Sequence, residues 1–148
     1  MHKLTIQVPV YQFKCVVIID KDVEKKANSF IKKHKWNEEL LIKEGDQVHG
    51  YAINPGLVHT YYIFYSEEST TPNIITHEVS HLVDYVMGDK GMVDTETRAY
   101  LSGFINEKIF DYVLKNNLLI NKWLLKNQKT SNLLEKEQAS SLLPPDNS

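Results

Sequence analysis

Two histidines and a glutamate are the residues of this sequence best suited to chemistry, and they lie in the segment His77-Glu78-Val79-Ser80-His81. Residues four apart on a helix project from neighbouring turns of one face, so the imidazoles of His77 and His81 can bind one metal ion. The carboxylate of Glu78 can accept a proton from a metal-bound water without binding the metal itself. Because neutral imidazole suits zinc, the spacing predicts one zinc ion per chain with Glu78 as the general base.

A third zinc ligand is expected downstream, because a catalytic zinc ion usually has three protein ligands and a water molecule. We predict Glu96, in the first turn of the next predicted helix, since residues 88–93 leave enough chain for that helix to turn back antiparallel. Asp94 and Asp84 are the alternatives. Asp84 follows His81 by three residues and fits better as a hydrogen-bond acceptor for the N–H of a ligand histidine.

The segment that carries the motif has the features of an amphipathic helix. Thr71 and Pro72 suit the N-cap and the first position, and Gly88 suits the end. Four apolar residues at helical spacing predict a core-facing stripe opposite the metal ligands: Val79, Leu82, Val83 and Val86.

The remaining patterns predict an α+β fold, in which a small antiparallel or mixed sheet packs against the motif helix and further helices. Residues 4–11 and 13–19 predict two strands or one strand bent at Pro9, and further strands are predicted over 47–53 and 58–65. Helices are predicted over about 22–35, 95–115 and 118–125. The turn signal Asn54-Pro55-Gly56 predicts an antiparallel hairpin. We expect one domain over residues 1–139, followed by a polar tail over 140–148.

The strand over residues 58–65 directly precedes the motif helix, so its edge could pair with an extended peptide substrate. Tyr61, Ile63 and Tyr65 are the residues we expect beside that peptide. The alternative is an aromatic strand that packs alternately on the core and on the surface. For the oxyanion of the transition state, Tyr100, His59 and a tyrosine of the hairpin are open candidates.

Composition and charge narrow the classes of partner. The formal net charge is -2, and the lysines of residues 21–35 alternate with acidic and apolar residues, which does not favour nucleic-acid binding. The single cysteine, Cys15, cannot form an internal disulfide, which is typical of a reducing compartment. The N-terminus lacks the apolar core of a signal peptide, and no stretch approaches the roughly 20 apolar residues that span a bilayer. We therefore expect a cytoplasmic protein with no membrane partner.

The motif, together with the segment Glu96-Thr97-Arg98-Ala99-Tyr100, resembles gluzincin-type metallopeptidases, including the immunity-repressor proteases of mobile elements and the SprT-like proteins. Residues 74–78 and 96–105 resemble small phage-encoded HExxH zinc metallopeptidases more closely than they resemble these families. The resemblance implies a zincin-type motif helix, a zinc ion held by His77, His81 and Glu96, and a peptide or protein substrate. It also implies the cytoplasm of a bacterial host. Thermolysin-like members have asparagine before the third ligand and aspartate one turn later, where this sequence has Thr95 and Tyr100.

An alternative function is a zinc-binding interaction module, or an inactive hydrolase relic, that binds a host protein. Structural zinc sites need ligands but no general base, and they usually complete the coordination with cysteine or histidine. The presence of Glu78 beside His77 therefore favours the enzyme.

Overall fold

The structure is a computed structural model that describes residues 1–43, 46, 48–56 and 59–119. Within these residues the chain has the predicted α+β fold, with a four-stranded sheet and three α-helices. The strands are β1 (His2–Val8), β2 (Phe13–Asp20), β3 (Gly50–Ile53) and β4 (Thr60–Ser66), and the helices are α1 (Val23–Lys33), α2 (Pro72–Asp89) and α3 (Thr95–Lys115). None of the described helices combines the length and the apolar character needed to cross a membrane.

The sheet is mixed, with the strand order β1-β2-β4-β3. The outer pairs β1/β2 and β3/β4 are antiparallel, and the central pair β2/β4 is parallel. Parallel neighbours need a long crossover, and here it contains α1 and β3. The first predicted strand ends at Val8 rather than at residue 11, because Pro9 begins a short 3-10 turn. The order leaves β1 and β3 at the edges of the sheet.

Both faces of the sheet are covered. On one face, α2 and α3 pack on alternate residues of the central strands, which include Tyr61, Ile63 and Tyr65. On the other face, α1 and the segment after it pack on residues such as Ile18 and Phe64. Because both faces are covered, residues 15–19 of β2 are all buried, as expected for a continuous apolar run next to a parallel neighbour.

The motif helix α2 begins as predicted, since the Thr71 hydroxyl accepts a hydrogen bond from the Ile74 N–H and Pro72 takes the first position. The predicted end at Gly88 is wrong. The helix ends after Asp89 in a Schellman motif, in which Gly91 has φ +62° and the Met92 N–H donates to the Met87 carbonyl at 2.9 Å. The predicted stripe is confirmed, because all four of its members are fully buried: Val79, Leu82, Val83 and Val86.

Helix α3 has the predicted bounds and packs against α2 and β1. Asp94 caps it by accepting a hydrogen bond from the Thr97 N–H. Its buried residues recur every four positions and are Leu101, Ile105, Ile109 and Val113. The helix predicted over residues 118–125 lies outside the described residues from position 120 onward, as do the predicted boundary at 139 and the tail.

Candidate active site

The two motif histidines lie on the exposed side of α2 and approach each other closely. The Nε2 atoms of His77 and His81 are 3.1 Å apart, and the ring centroids are 4.6 Å apart. Two nitrogens that bind one tetrahedral zinc ion, each at about 2.0–2.1 Å, are roughly 3.3 Å apart. The observed separation therefore fits two ligands of one ion, as the helical spacing predicted.

Glu78 faces the sheet rather than the solvent and is only 7% exposed. The backbone N–H of Ala52 in β3 donates a hydrogen bond to its Oε2 at 2.9 Å. Burial raises the pKa of the Glu78 carboxyl, while the neighbouring His77, the Ala52 N–H and His81 act in the opposite direction. A carboxylate with a raised pKa is a stronger proton acceptor, as a general base near neutral pH requires.

A cleft of about 620 Å³ separates β3 from the exposed side of α2. All three motif residues line it, together with His49, Tyr51 and Tyr85. Its size is within the range of protein ligand sites. The cleft therefore brings the histidine pair and the buried carboxylate to one surface beside an edge of the sheet.

The third ligand stays a prediction. Glu96 lies exposed in the first turn of α3, and Asp94 caps that helix. In the described part of the chain, no three His, Cys, Asp or Glu side chains converge on a common metal position. The structure thus brings together two of the three predicted ligands.

Asp84 does not have the predicted partner. Its carboxylate forms an ion pair and hydrogen bond with Arg98 of α3, and both side chains are about half exposed. The reason is the packing of α3 on α2, which brings the first turns of α3 beside Asp84. We therefore correct the prediction that Asp84 accepts a hydrogen bond from a ligand histidine.

Two of the oxyanion candidates lie away from the cleft. Tyr100 stacks on Phe104 with the ring centroids 6.0 Å apart, and His59 contacts the Lys90 amine at 3.3 Å. Neither is among the described residues that line the cleft. Tyr85 does line it, and its position four residues after His81 was a usable signal, because that spacing repeats the one between the histidines.

The predicted substrate strand is wrong. β4 pairs with β2 on one side and with β3 on the other, so it has no free edge along Tyr62–Tyr65. Tyr61, Ile63 and Tyr65 are at most 1% exposed, and the hydroxyl of Tyr65 donates to the Ile75 carbonyl inside the core. The edge strand that lines the cleft is β3.

No protein-family model, no curated protein and no solved structure matches this chain.

Proposed function

We propose that this protein is a zinc-dependent peptidase with a zincin-type motif helix. The observation that carries the proposal is the shared cleft, in which the Nε2 atoms of His77 and His81 lie 3.1 Å apart and Glu78 lies on the β3 side. This arrangement combines a pair of metal ligands with a carboxylate that does not occupy the metal position. A structural zinc site would not require such a carboxylate.

In the proposed reaction, His77, His81 and Glu96 would hold the zinc ion. A zinc ion bound there would supply the Lewis acidity needed to acidify water and to polarise the scissile carbonyl. Glu78 accepts the proton of the attacking water and returns it to the departing amine. Its burial favours this role because burial raises the pKa of the carboxyl.

The proposed substrate is an extended peptide segment that pairs with the outer edge of β3. The Ser66 N–H donates to the His49 carbonyl at 3.0 Å, so this pair belongs to the β3/β4 ladder. Hydrogen-bonded pairs alternate in an antiparallel ladder, so the backbone groups of Gly50 and Ala52 face away from β4. Because the Ala52 N–H donates to Glu78, the proposed peptide would pair with the backbone of Gly50 and with the Ala52 carbonyl. A peptide added at this edge would lie along the cleft, in the manner of β-augmentation.

The test is cleavage of a peptide library and of an unfolded protein by the zinc-loaded chain. We expect Glu78→Gln to lower kcat at least a thousandfold, because general base catalysis and the orientation of water are lost together. The matched control is Glu107→Gln on the exposed side of α3, which should cleave like the wild type. Equal cleavage by wild type and Glu78→Gln would refute the role of Glu78. Zinc binding without cleavage by the wild type would favour the interaction module.

The third ligand is tested by comparing Glu96→Ala, Asp94→Ala and Asp84→Ala for zinc affinity. We expect only Glu96→Ala to weaken zinc binding, by ten- to a hundredfold or more. A loss confined to Asp94→Ala or to Asp84→Ala would transfer the third ligand to that residue.

A further inference from the structure

Position 50 in β3 has no side chain, and Glu78 fills the space that a side chain would take. A methyl group placed on Gly50 would lie 2.6 Å from Cγ of Glu78 and 3.0 Å from both Cδ and Oε1. Ordinary contacts begin at 3.4 Å. The backbone of Gly50 is not in the left-handed region, where Gly56 and Gly91 lie. Close approach of Glu78, rather than backbone conformation, therefore accounts for a glycine at this position.

A second contact holds the same carboxylate. The Ala52 N–H, two residues further along the outward-facing edge, donates to Oε2 of Glu78 at 2.9 Å. The other oxygen, Oε1, lies over Gly50. The carboxylate thus bonds to β3 at Ala52 and takes up the side-chain space at Gly50, in a cleft that the two histidines also line.

We propose that Gly50 is a positioning residue for Glu78. Because Gly50 has no side chain, the Glu78 carboxylate has room to lie against β3 and to accept a hydrogen bond from the Ala52 N–H. This inference rests on the proposed function, because it concerns the orientation of the general base. Any side chain at position 50 must push Cγ of Glu78 from 2.6 Å to at least 3.4 Å, a shift of about 0.8 Å. Since Glu78 can rotate away, we expect the fold to be kept and the position of the carboxylate to be lost.

For Gly50→Ala, a positioning role predicts a fall in kcat without a matching change in KM or in bound zinc. A displacement near 1 Å can cost on the order of a hundredfold in rate, so Gly50→Ala should lower kcat by about that factor. KM and bound zinc should change less than about twofold, because the edge of β3 and the histidines stay in place. The matched control is Gly103→Ala in α3, where an added methyl group would meet nothing within 4 Å. That variant should keep the kcat of the wild type.

Amide hydrogen exchange provides a readout that does not depend on activity. In wild type and Gly103→Ala, the Ala52 amide should be protected by Glu78, and in Gly50→Ala it should exchange at least tenfold faster, as in Glu78→Ala. By the alternation of the ladder, the Tyr51 amide bonds to β4, so it should stay protected in all four proteins.

Each outcome has a distinct meaning. If the wild type cleaves while Gly50→Ala keeps its kcat or its protected Ala52 amide, the role of Gly50 is overturned and the proposed function stands. If Gly50→Ala also loses protection at Tyr51, the substitution disturbs β3 as a whole and the positioning role is overturned. If the zinc-loaded wild type cleaves nothing, the proposed function fails, and the role of Gly50 in orienting a general base fails with it.

Discussion

Asp89 links the C-terminal end of α2 to the β3/β4 hairpin. Its Oδ2 accepts hydrogen bonds from the Tyr61 hydroxyl and from Nδ2 of Asn54, both at 2.8 Å. Tyr61 is 1% exposed, so the substitution Asp89→Ala leaves its hydroxyl without this charged acceptor. We predict that Asp89→Ala destabilises the fold and loosens the wall of the cleft.

The magnitude follows from the two opposing effects of the carboxylate. A hydrogen bond from a buried hydroxyl to a charged acceptor contributes about 2 kcal/mol, and the exposed bond from Asn54 adds little. A negative charge at the C-terminal end of a helix costs about 0.5 kcal/mol, which Asp89→Ala regains. The net loss in the free energy of unfolding should be about 1.5 kcal/mol, with a fall in Tm of roughly 3–6 °C.

The assay is a double-mutant cycle of urea unfolding with Tyr61→Phe, Asp89→Ala and the double variant. If the hydrogen bond between Tyr61 and Asp89 accounts for the loss, Asp89→Ala should lower the free energy of unfolding only slightly in the Tyr61→Phe background. The coupling energy between the two substitutions should then exceed about 1 kcal/mol. Asp111→Ala, an exposed residue of α3, is the surface control and should change stability by less than about 0.5 kcal/mol. Additive losses in the cycle would refute the reasoning.

Three further predictions concern the core and the segment before β3. Leu82→Ala removes a fully buried side chain behind the motif and should lower the free energy of urea unfolding by about 2–5 kcal/mol. A decrease below about 1 kcal/mol would contradict this burial. Asn28→Ala removes both side-chain bonds to the backbone of Ile42, each 2.9 Å, and should speed exchange of the Ile42 amide; unchanged exchange would count against these bonds. Burial raises the pKa of the Cys15 thiol, so at pH 8 it should react with a thiol reagent only after unfolding, and rapid reaction of the native protein would exclude this burial. The folded chain keeps the Cys15 thiol protonated, whereas the unfolded chain ionises it as the pH rises past about 9. The free energy of unfolding should therefore fall above that pH.

The sequence predicts the local parts of the fold well, because they depend on neighbours in the chain. The cap at Thr71, the buried stripe of α2 and the turn at Asn54 are examples of such local signals. Helix α2 extends past the predicted end because Gly91, and not Gly88, adopts the left-handed conformation that terminates a helix.

The strand order could not be predicted, because it depends on a pairing that is distant in sequence. A hairpin can join β2 through either of its strands, and both choices satisfy the same apolar pattern. The parallel pairing of β2 with β4 leaves β3 at the edge. The edge strand beside the cleft is therefore β3 and not β4.

The contacts of the site likewise include some that follow from local spacing and others that join residues distant in sequence. The approach of His77 and His81 follows from helical spacing, whereas the contact of Glu78 with Ala52 joins residues 26 positions apart. The pairing of Asp84 with Arg98 depends on how α3 packs on α2, which no local pattern specifies. Local sequence patterns therefore predict the residues of the motif that line the cleft, but not the backbone of β3 that contacts Glu78.

The most direct test of the central claim is the zinc content of the purified and reconstituted chain, measured by elemental analysis. We predict about one zinc ion per chain for the wild type and for the control His2→Ala, and little or none for His77→Ala and His81→Ala. A wild type that cannot be loaded with zinc, or histidine variants that keep the zinc content of the wild type, would contradict a metal centre on α2.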